Sequence, residues 1–317
     1  MTAPALVIVN PVAGRGRVRA QWPQAEQALR RAGVRFEAVE TAVAGDAERR
    51  AAQAAAEGRC VIAAGGDGTV HEVVNGLLRA SNGADTVPLG VLPLGSGDDF
   101  AKMLPPAAIP GARARGLDDA VARIAAGQVQ RFDAGRIEAG DAADGVRFFA
   151  NGMDIGFGAR GAANAAAMPQ ALKGQARYLG ALAKTLVHYA NPRVRLTLDD
   201  AAPLELETTM TAIMNGRSFG GSFWVCPQAE VRDGWLDVMI ASALGRIAIL
   251  GLVPRIMRGT HVGDARVQMR RARRVRIESA SPMAVEADGE LPFAPVHRLE
   301  VTVLPGVLRV LAGPAIG

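Results

Sequence analysis

The chain has 317 residues, a formal net charge of +5, 49% hydrophobic and 21% charged residues, and only 4% aromatic residues. This length favours two domains, and the composition excludes an intrinsically disordered chain. The basic excess is compatible with a phosphorylated ligand or an anionic membrane surface. A nucleic-acid partner is not expected, because the densest arginine run, at residues 270–276, contains no aromatic residue. We interpret that run as a solvated strand edge, with a lipid-facing patch as the alternative.

The first part of the chain alternates predicted strands with predicted helices. The strands are predicted at residues 6–9, 34–39, 60–64 and 88–92. The helices are predicted at residues 19–32, 47–57 and 70–79, with a short one near Phe100. This order is typical of a parallel sheet covered by helices, which binds ligands at the carboxyl ends of its strands. We therefore predict an α/β domain over residues 1–130, to which residues from about 305 to 317 return.

Short strands dominate the rest of the chain. They are predicted at residues 129–137, 147–151, 194–198, 205–214, 236–240, 267–269, 275–277, 283–286 and 299–304. Two helices are predicted among them, at residues 171–189 and 245–258. Turn residues separate the strands, which is typical of an antiparallel β-sandwich. We predict that this second domain covers residues 131–304.

No segment of the sequence predicts insertion into a membrane. The longest apolar stretch, residues 236–253, is interrupted by Asp237 and Arg246 and is too broken to span a bilayer. We expect no signal peptide. Cys60 and Cys226 lack metal-ligand spacing, and we expect both to be reduced core residues. A cytoplasmic protein with at most peripheral membrane contact is the prediction.

A glycine-rich turn follows the strand at residues 60–64, with the sequence Gly65-Gly66-Asp67-Gly68-Thr69. Glycines let a phosphate approach the backbone closely, and successive N–H groups bind it as an anion. The helix predicted from Val70 adds the positive end of its dipole. Asp67 adds negative charge, which favours a bound Mg²⁺ or a substrate hydroxyl beside it. The turn is thus predicted to hold phosphate, with a ligand-free tight turn as the alternative.

A second glycine-rich turn lies at residues 93–100, again between a predicted strand and a predicted helix. By itself its Gly-Ser-Gly sequence is equally typical of a plain loop. In a parallel sheet, however, the two turns can line one crevice. Residues 10–14 end the first strand and are predicted to form a third wall.

Carboxylates surround a glycine near the other end of the chain, in Glu286-Ala287-Asp288-Gly289-Glu290. Phosphoryl transfer to a hydroxyl needs a group that accepts or orients the hydroxyl proton, and a metal that neutralises the phosphates. A carboxylate pair can serve both needs. A solvent-exposed hairpin turn, for which Asp-Gly is the commonest signature, is an equal alternative.

These motifs, in this order and spacing, resemble the diacylglycerol kinase catalytic-domain family, and the chain is similar to its bacterial YegS-like lipid kinases. The resemblance covers nearly the whole chain. The joint occurrence of four motifs is specific, whereas the first turn alone is shared with NAD kinases and phosphofructokinases. The family implies a nucleotide-binding α/β domain, a β-sandwich domain and an active site in the cleft between them. It also implies transfer of the γ-phosphate of ATP to a lipid hydroxyl in phospholipid biosynthesis.

The resemblance implies roles for individual residues. Glu290 is favoured as the proton acceptor, with Asp288 near the metal or the hydroxyl and Asp67 beside the metal or the acceptor. The implied nucleotide contacts are Asn10, Thr41, Gly66, Asp67, Gly68, Thr69, Val70, His71, Glu72 and Ser96. A structural Mg²⁺ is implied on the Asp233 carboxylate and the backbone carbonyls of Glu230 and Trp235, with an ordinary Asp-Gly hairpin turn as the alternative.

The second turn departs from the family's pattern at three positions, with Ser96 in place of Thr, Asp98 in place of Asn and Lys102 in place of Arg. Ser96 keeps the hydroxyl. Asp98 removes an amide donor and adds charge, which leaves nucleotide preference open. The cation expected near the phosphates is either Arg15 or Arg17.

The expected partners are ATP, Mg²⁺ and a lipid substrate met transiently at the inner face of the membrane, and a homodimer is left open. Two rival interpretations are an NAD or small-polyol kinase on the same fold and a non-catalytic nucleotide or lipid sensor. The lipid pocket is expected in the second domain, including residues 148–157 and 171–189.

Overall fold

The computed structural model describes residues 3–105, 116–142, 144–167, 175–221 and 223–313. The chain forms two compact units. Unit 1 comprises Met1–Ala134, Val231–Gly234 and Leu304–Gly317, and unit 2 comprises Gly135–Glu230 and Trp235–Val303. The short segment Val231–Gly234 therefore belongs with the N-terminal unit, whereas its place in the sequence suggests the second domain.

Unit 1 alternates strands and helices in the predicted way. Its strands are β1 (Ala5–Val9), β2 (Phe36–Glu40), β3 (Val61–Gly65), β4 (Leu89–Pro93), the start of β5 (Val129–Ala139) and the end of β14 (Val296–Leu311). Its helices are α1 (Arg17–Arg31), α2 (Asp46–Ala56), α3 (Asp67–Ala80), α4 (Asp99–Met103) and α5 (Leu117–Ala126), with a 3₁₀ turn at Ala13–Arg15.

The sheet of unit 1 is parallel, with the strand order β14-β4-β3-β1-β2. All residues of β3 are buried, as expected for a continuous apolar strand at the centre of a covered sheet. Its Ile62 packs in one core with Leu29 of α1 and Ile124 of α5. This core holds the carboxyl ends of β1, β3 and β4 side by side.

Unit 2 is mostly antiparallel. Its further strands are β6 (Val146–Phe149), β7 (Gly152–Gly156), β8 (Arg193–Leu198), β9 (Leu204–Met214), β10 (Leu236–Ser242), β11 (Val267–Ala272), β12 (Arg274–Met283) and β13 (Val285–Ala287). Its helices are α6 (Phe157–Ala166), α7 (Gln175–His188) and α8 (Arg246–Met257). The strand order is β11-β10-β9-β8-β12-β14, and β7 pairs with both β9 and β13.

Two apolar clusters stabilise unit 2. One contains β-strand residues such as Ile213, Val238 and Val275, and the other packs α8 residues, including Leu252, on β9 and β10. The predicted fold class, a parallel α/β unit followed by an antiparallel β-sandwich unit, is thus confirmed.

Several predicted elements differ from those observed. Helices α5 and α6 were not predicted, and α6 is mainly alanine and glycine with little apolar periodicity. The strand predicted at residues 147–151 is replaced by β6 and β7 on either side of Asn151. The strand predicted at 299–304 and the apolar segment that follows it form the single long strand β14. The first residues of the helix predicted at 171–189 lie outside the described residues.

Replacing Gly76 in α3 by alanine should lower the free energy of unfolding by about 1–3 kcal/mol, because of overpacking. A Cβ at this position would overlap the backbone carbonyl oxygen of Glu48 in α2 and lie 2.9 Å from the Cβ of Ala51. Helix propensity alone would predict a gain of about 1 kcal/mol. The matched control is Gly251→Ala in α8, where no atom lies within 4 Å of the added Cβ. The measurement is urea unfolding followed by circular dichroism. Equal free energies of unfolding for Gly76→Ala and Gly251→Ala would contradict the close packing described at Gly76.

Candidate active site

The first glycine-rich turn joins β3 directly to α3. The helix begins at Asp67 and not at Val70 as predicted, because Gly66 is the extended residue that precedes it, with φ −101° and ψ −169°. Gly65 has no room for a side chain, since the Thr69 side chain occupies the space that a Cβ would fill. Residues 67–69 form the first turn of α3. Their backbone N–H groups lie at the positive end of the helix dipole, which favours an anion.

The two glycine-rich turns touch through their backbones. A Cβ on Gly95 would overlap the Cα of Gly66 and lie 2.7 Å from Oδ1 of Asp98, and a Cβ on Gly66 would lie 3.2 Å from the Cα of Gly95. Arg17 of α1 donates from Nη1 to the Gly95 carbonyl oxygen at 3.1 Å. The sequence left the phosphate-binding cation open between Arg15 and Arg17, and Arg17 is the one whose guanidinium contacts the second turn.

The end of β1 also reaches the first turn, as predicted. Asn10 donates from Nδ2 to the Thr69 hydroxyl at 3.1 Å, and its Oδ1 accepts the N–H of Val12 at 3.3 Å. Thr69 is buried, so its hydroxyl serves this contact within the protein. The loops that follow β1, β3 and β4 are thus brought together in unit 1.

Carboxylates crowd the second turn. Oδ1 of Asp67 accepts the N–H of Asp99 at 2.6 Å, and Lys102 pairs with Asp99 at 2.8 Å. Asp98 has a left-handed backbone with φ 53°, and its Oδ1 accepts the Gly95 N–H at 3.0 Å. Burial, together with the nearby Asp67 carboxylate, raises the pKa of Asp98 to about 6. The negative charge at this position is therefore costly near neutral pH.

The other predicted nucleotide contacts lie on the same elements but differ in exposure. Ser96 is exposed and Thr41 is half-buried, whereas the side chains of Val70 and His71 are buried. Glu72 is engaged within the protein, because its carboxylate oxygens accept the N–H groups of Gly45 and Ala47, each at 3.0 Å, at the start of α2. The contacts of these residues with nucleotide stay predictions.

In unit 2, the Asp-Gly-Glu motif forms a tight hairpin turn. Ala287 and Glu290 exchange both backbone hydrogen bonds at 2.9 Å, and Asp288 and Gly289 have positive φ values of 48° and 93°. Both φ signs are those of the Asp-Gly turn that was the alternative to a catalytic motif. This turn geometry is compatible with a catalytic role for either acid.

The two acids of this turn have different surroundings. The Asp288 carboxylate accepts the N–H groups of Ala150, Asn151 and Gly152 at 2.9–3.0 Å. These three bonds fix the position of its carboxyl group. Glu290 is exposed. A solvent-accessible carboxylate suits a proton acceptor better than one fixed by three backbone donors.

A second carboxyl pair was not predicted. Asp154 of β7 and Glu286 of β13 are 1% and 2% exposed and interact through their side chains. Burial and the neighbouring acid raise the pKa of Glu286 well above its usual range, while Oδ2 of Asp154 accepts the Ala159 N–H at 3.0 Å. Burial and mutual repulsion thus disfavour the state in which both acids of the pair are ionised. Only the antiparallel register, which places Glu286 opposite Asp154, reveals it.

Glu286 and Gly289 line an apolar cavity of about 240 Å³ in unit 2. Its other walls come from α6, α7, β9, β10, α8 and the loop before Val225. Phe157 and Ala181 lie within the segments predicted for the lipid pocket and line this cavity, while its role as a lipid pocket stays a prediction. The contribution of α8 was not predicted, since its apolar residues resemble any core helix.

The predicted structural Mg²⁺ site stays a prediction. Among the described residues, no group of three or more His, Cys, Asp or Glu side chains is placed to hold a metal ion. Within unit 1, Gly234 has the positive φ of a turn glycine, at 73°, and donates to Oδ2 of Asp133 at 2.7 Å. Oδ1 of Asp133 accepts the Gly306 N–H at 2.7 Å as well. Burial raises the pKa of Asp133 despite these two bonds, and the nearby Asp233 carboxylate raises it further.

The chain matches known families over both units. Residues 4–137 match the model of the diacylglycerol kinase catalytic domain, and residues 151–312 match the YegS C-terminal NAD kinase beta sandwich-like domain. It is 31% identical over 307 residues to a diacylglycerol kinase of Mycobacterium tuberculosis, covering 96% of this chain and 93% of that protein. It is 33% identical over 312 residues to a Pseudomonas aeruginosa protein named "Probable lipid kinase YegS-like", covering 96% and 92%.

Solved structures share the fold. A diacylglycerol kinase from Bacillus anthracis superposes with a TM-score of 0.70 at 21% identity, covering 99% of this chain and 98% of that one. An NAD kinase from Archaeoglobus fulgidus in complex with ATP has a TM-score of 0.50 at 12% identity, covering 97% and 93%. The chain therefore belongs to the diacylglycerol kinase catalytic-domain family of kinases, and the resemblance seen in its motifs is confirmed.

Gly95→Ala should reduce nucleotide binding strongly, because the added methyl group would force the two glycine-rich turns apart. In Gly66→Ala the added Cβ would meet only one atom, the Cα of Gly95, at 3.2 Å. We therefore expect Gly66→Ala to lower nucleotide affinity and the thermal midpoint clearly less than Gly95→Ala does. Calorimetric titration with ATP and thermal unfolding of both variants would measure the difference. Equal effects of the two substitutions would contradict the close contact described for Gly95.

Asp98→Asn should stabilise the protein at pH 8 by about 1 kcal/mol and leave its stability almost unchanged below pH 4. The folded state raises the pKa of this acid to about 6, so the parent loses stability as the pH rises from the unfolded value through 6. Asparagine carries no charge, tolerates the left-handed backbone and keeps an oxygen for the Gly95 N–H. The measurement is denaturant unfolding of the parent and Asp98→Asn at both pH values. If the two proteins differed in stability by the same amount at both, the raised pKa of Asp98 would be contradicted.

Proposed function

We propose that this protein is an ATP-dependent lipid kinase that transfers the γ-phosphate to a hydroxyl of a lipid such as diacylglycerol. One observation carries the proposal: Glu286 and Gly289, next to Glu290 in the chain, line the apolar cavity of unit 2. An acyl chain buried in that cavity gains about 0.8 kcal/mol per CH₂ group. The head group would then lie at the Asp-Gly-Glu turn.

The geometry of unit 1 supports ATP as the donor. The α3 N-terminus, the backbone contact of the two glycine turns and the Arg17 guanidinium together provide donors and positive potential for phosphates. The fold is shared with an NAD kinase that was crystallised with ATP. These features favour a nucleotide triphosphate over a purely structural turn.

The acidic cluster of the second turn fits a divalent cation that arrives with the nucleotide. Asp67 lies near enough to raise the pKa of Asp98, and a cation beside like charges relieves their repulsion. Asp67 would help to hold Mg²⁺, with phosphate oxygens and water as the remaining ligands. When bound, the ion would neutralise charge on the phosphates.

In the proposed reaction the lipid hydroxyl oxygen forms a bond to the γ-phosphorus, and the bond between that phosphorus and the bridging oxygen of ADP breaks. The hydroxyl proton passes to the Glu290 carboxylate. Asp288 acts as a positioning residue, because its bonds to the backbone of residues 150–152 fix the turn that carries Glu290.

The described part of the chain contains no helix long and apolar enough to cross a membrane. We propose peripheral contact with the membrane as the way in which the lipid substrate is met. A cytoplasmic location stays a prediction of the sequence, and a homodimer stays open. The apolar cavity argues against NAD or a small polyol as the acceptor, since neither has an acyl chain to bury.

The decisive experiment is transfer of radiolabelled phosphate from ATP to separated lipids, with NAD and glycerol as water-soluble acceptors. Label in one lipid class supports the proposal. Label in NAD or glycerol alone would establish the rival kinase. ATP binding without transfer to any acceptor would instead favour a sensor.

Glu290→Gln and Asp67→Asn should each reduce kcat for lipid phosphorylation by at least about 100-fold, since each removes a charge needed at the transferring group. Glu278→Gln, at an exposed position of β12, is the matched control and should keep the parental rate. Thermal unfolding would check that all three remain folded. Near-parental activity in either of the first two variants would remove the role assigned to that residue.

A further inference from the structure

Helix α8 is apolar on two opposite faces. Its inner face, with Ile249, Leu252 and Ile256, lines the cavity of unit 2. On its outer face Ile247, Leu250 and Met257 are 88%, 54% and 44% exposed. Single exposed apolar residues are common, but a stripe along one helix marks an interaction surface.

Exposed apolar residues from neighbouring segments extend the stripe. Trp224, which is 37% exposed, donates its backbone N–H to the Ile256 carbonyl at 3.0 Å. Val187 is 52% exposed, and its carbonyl accepts a hydrogen bond from Nη2 of Arg246 at 2.6 Å. We call Val187, Trp224, Ile247, Leu250 and Met257 the α8 patch. The α8 patch thus extends from α8 onto two neighbouring segments, the end of α7 and the loop that contains Trp224.

The charged residues of the helices α6, α7 and α8 are all basic. The sequences of α6, α7 and α8 contain no Asp or Glu. Arg160, Lys184, Arg246 and Arg258 are exposed on or next to these helices. Arg255 is different, because it pairs with Asp264. An apolar stripe surrounded by cations complements a surface that presents phosphate groups above an apolar layer.

The arginine run at residues 270–276 is a weaker candidate for such a surface. Arg274 and Arg276 pair with Asp200 and Glu300 at 2.6 and 2.5 Å, and Arg271 and Arg273 lie over the Trp235 ring. These contacts match the solvated strand edge of the first interpretation. The run also carries no apolar stripe of its own.

We propose that the α8 patch docks on an anionic lipid bilayer. Ile247, Leu250 and Met257 enter the boundary between head groups and acyl chains, while Arg246 and Arg258 reach the phosphates. The opposite face of the same helix is a wall of the cavity, so docking brings the cavity next to the lipid phase. The docking itself does not depend on the proposed function. Only the further step, in which docking delivers the lipid acceptor to the cavity, rests on the proposed lipid kinase activity.

Vesicle co-sedimentation without nucleotide tests the proposal directly. The probes are vesicles of equal parts phosphatidylglycerol and phosphatidylcholine, and vesicles of phosphatidylcholine alone. The parent should bind the anionic vesicles more tightly, and salt should weaken that binding. The double variant Ile247→Glu/Leu250→Glu should bind them at least about tenfold more weakly, since it removes apolar area and adds repulsive charge.

The matched control is Leu204→Glu, because Leu204 is 43% exposed at the start of β9, outside the α8 patch. It should bind vesicles like the parent. A double variant that binds like the parent would overturn the proposal. A dimer that the double variant disrupts, with vesicle binding unchanged, would also overturn it and assign the patch to a second copy of the chain.

The activity assay separates this proposal from the proposed function. With a short-chain lipid dispersed in detergent, the double variant should keep the parental rate of phosphate transfer, because Ile247 and Leu250 do not line the cavity. Loss of vesicle binding with that rate preserved supports docking through α8. If the parent phosphorylates no lipid but binds vesicles through the patch, the proposed function fails and the docking stands.

Discussion

The close contact between the backbones of Gly66 and Gly95 is the constraint on which the site in unit 1 depends. Parallel strands bring their carboxyl ends to one edge of the sheet, but only glycines let the two following turns touch. Contact at this point places the α3 N-terminus next to the second turn and aligns Asp67 with the N–H of Asp99. The same closeness buries Asp98 and places it near the Asp67 carboxylate, and both effects raise the pKa of Asp98. A cation and phosphates together would therefore suit the site.

Much of this arrangement could be predicted from the sequence. Continuous apolar runs ending in glycine turns are local signals, so β1, β3 and β4 and their turns were predicted within a few residues of their bounds. The sequence allowed two interpretations of the Asp-Gly-Glu motif, a hairpin turn and a catalytic carboxylate pair. The structure shows the geometry of the hairpin turn. What the sequence could not reveal depends on register and packing. Glu286 and Asp154 become partners only through the pairing of β13 with β7, and the threefold backbone anchoring of Asp288 joins residues far apart in the chain.

Unit 2 combines two features that a lipid substrate requires. An apolar cavity allows an acyl chain to leave the bilayer without exposure to water, and Glu286 in its wall supplies a carboxyl group beside that apolar surface. Helix α8 connects both features to the surface, because one of its faces lines the cavity and the other carries the α8 patch. A helix with apolar residues all round would ordinarily be buried. Its exposure here is understandable if the outer face meets lipid.

We propose that the unit 2 cavity holds the acyl chain of the acceptor. Photolabelling with a diacylglycerol that carries a diazirine in one acyl chain, followed by mass spectrometric mapping of the labelled peptides, tests this placement. The labelled peptides should come from α8 and from the β9 and β10 residues that line the cavity, and unlabelled diacylglycerol should compete for the labelling. Labelling confined to the exposed surface, or labelling that no competitor reduces, would show that the cavity does not hold the acyl chain.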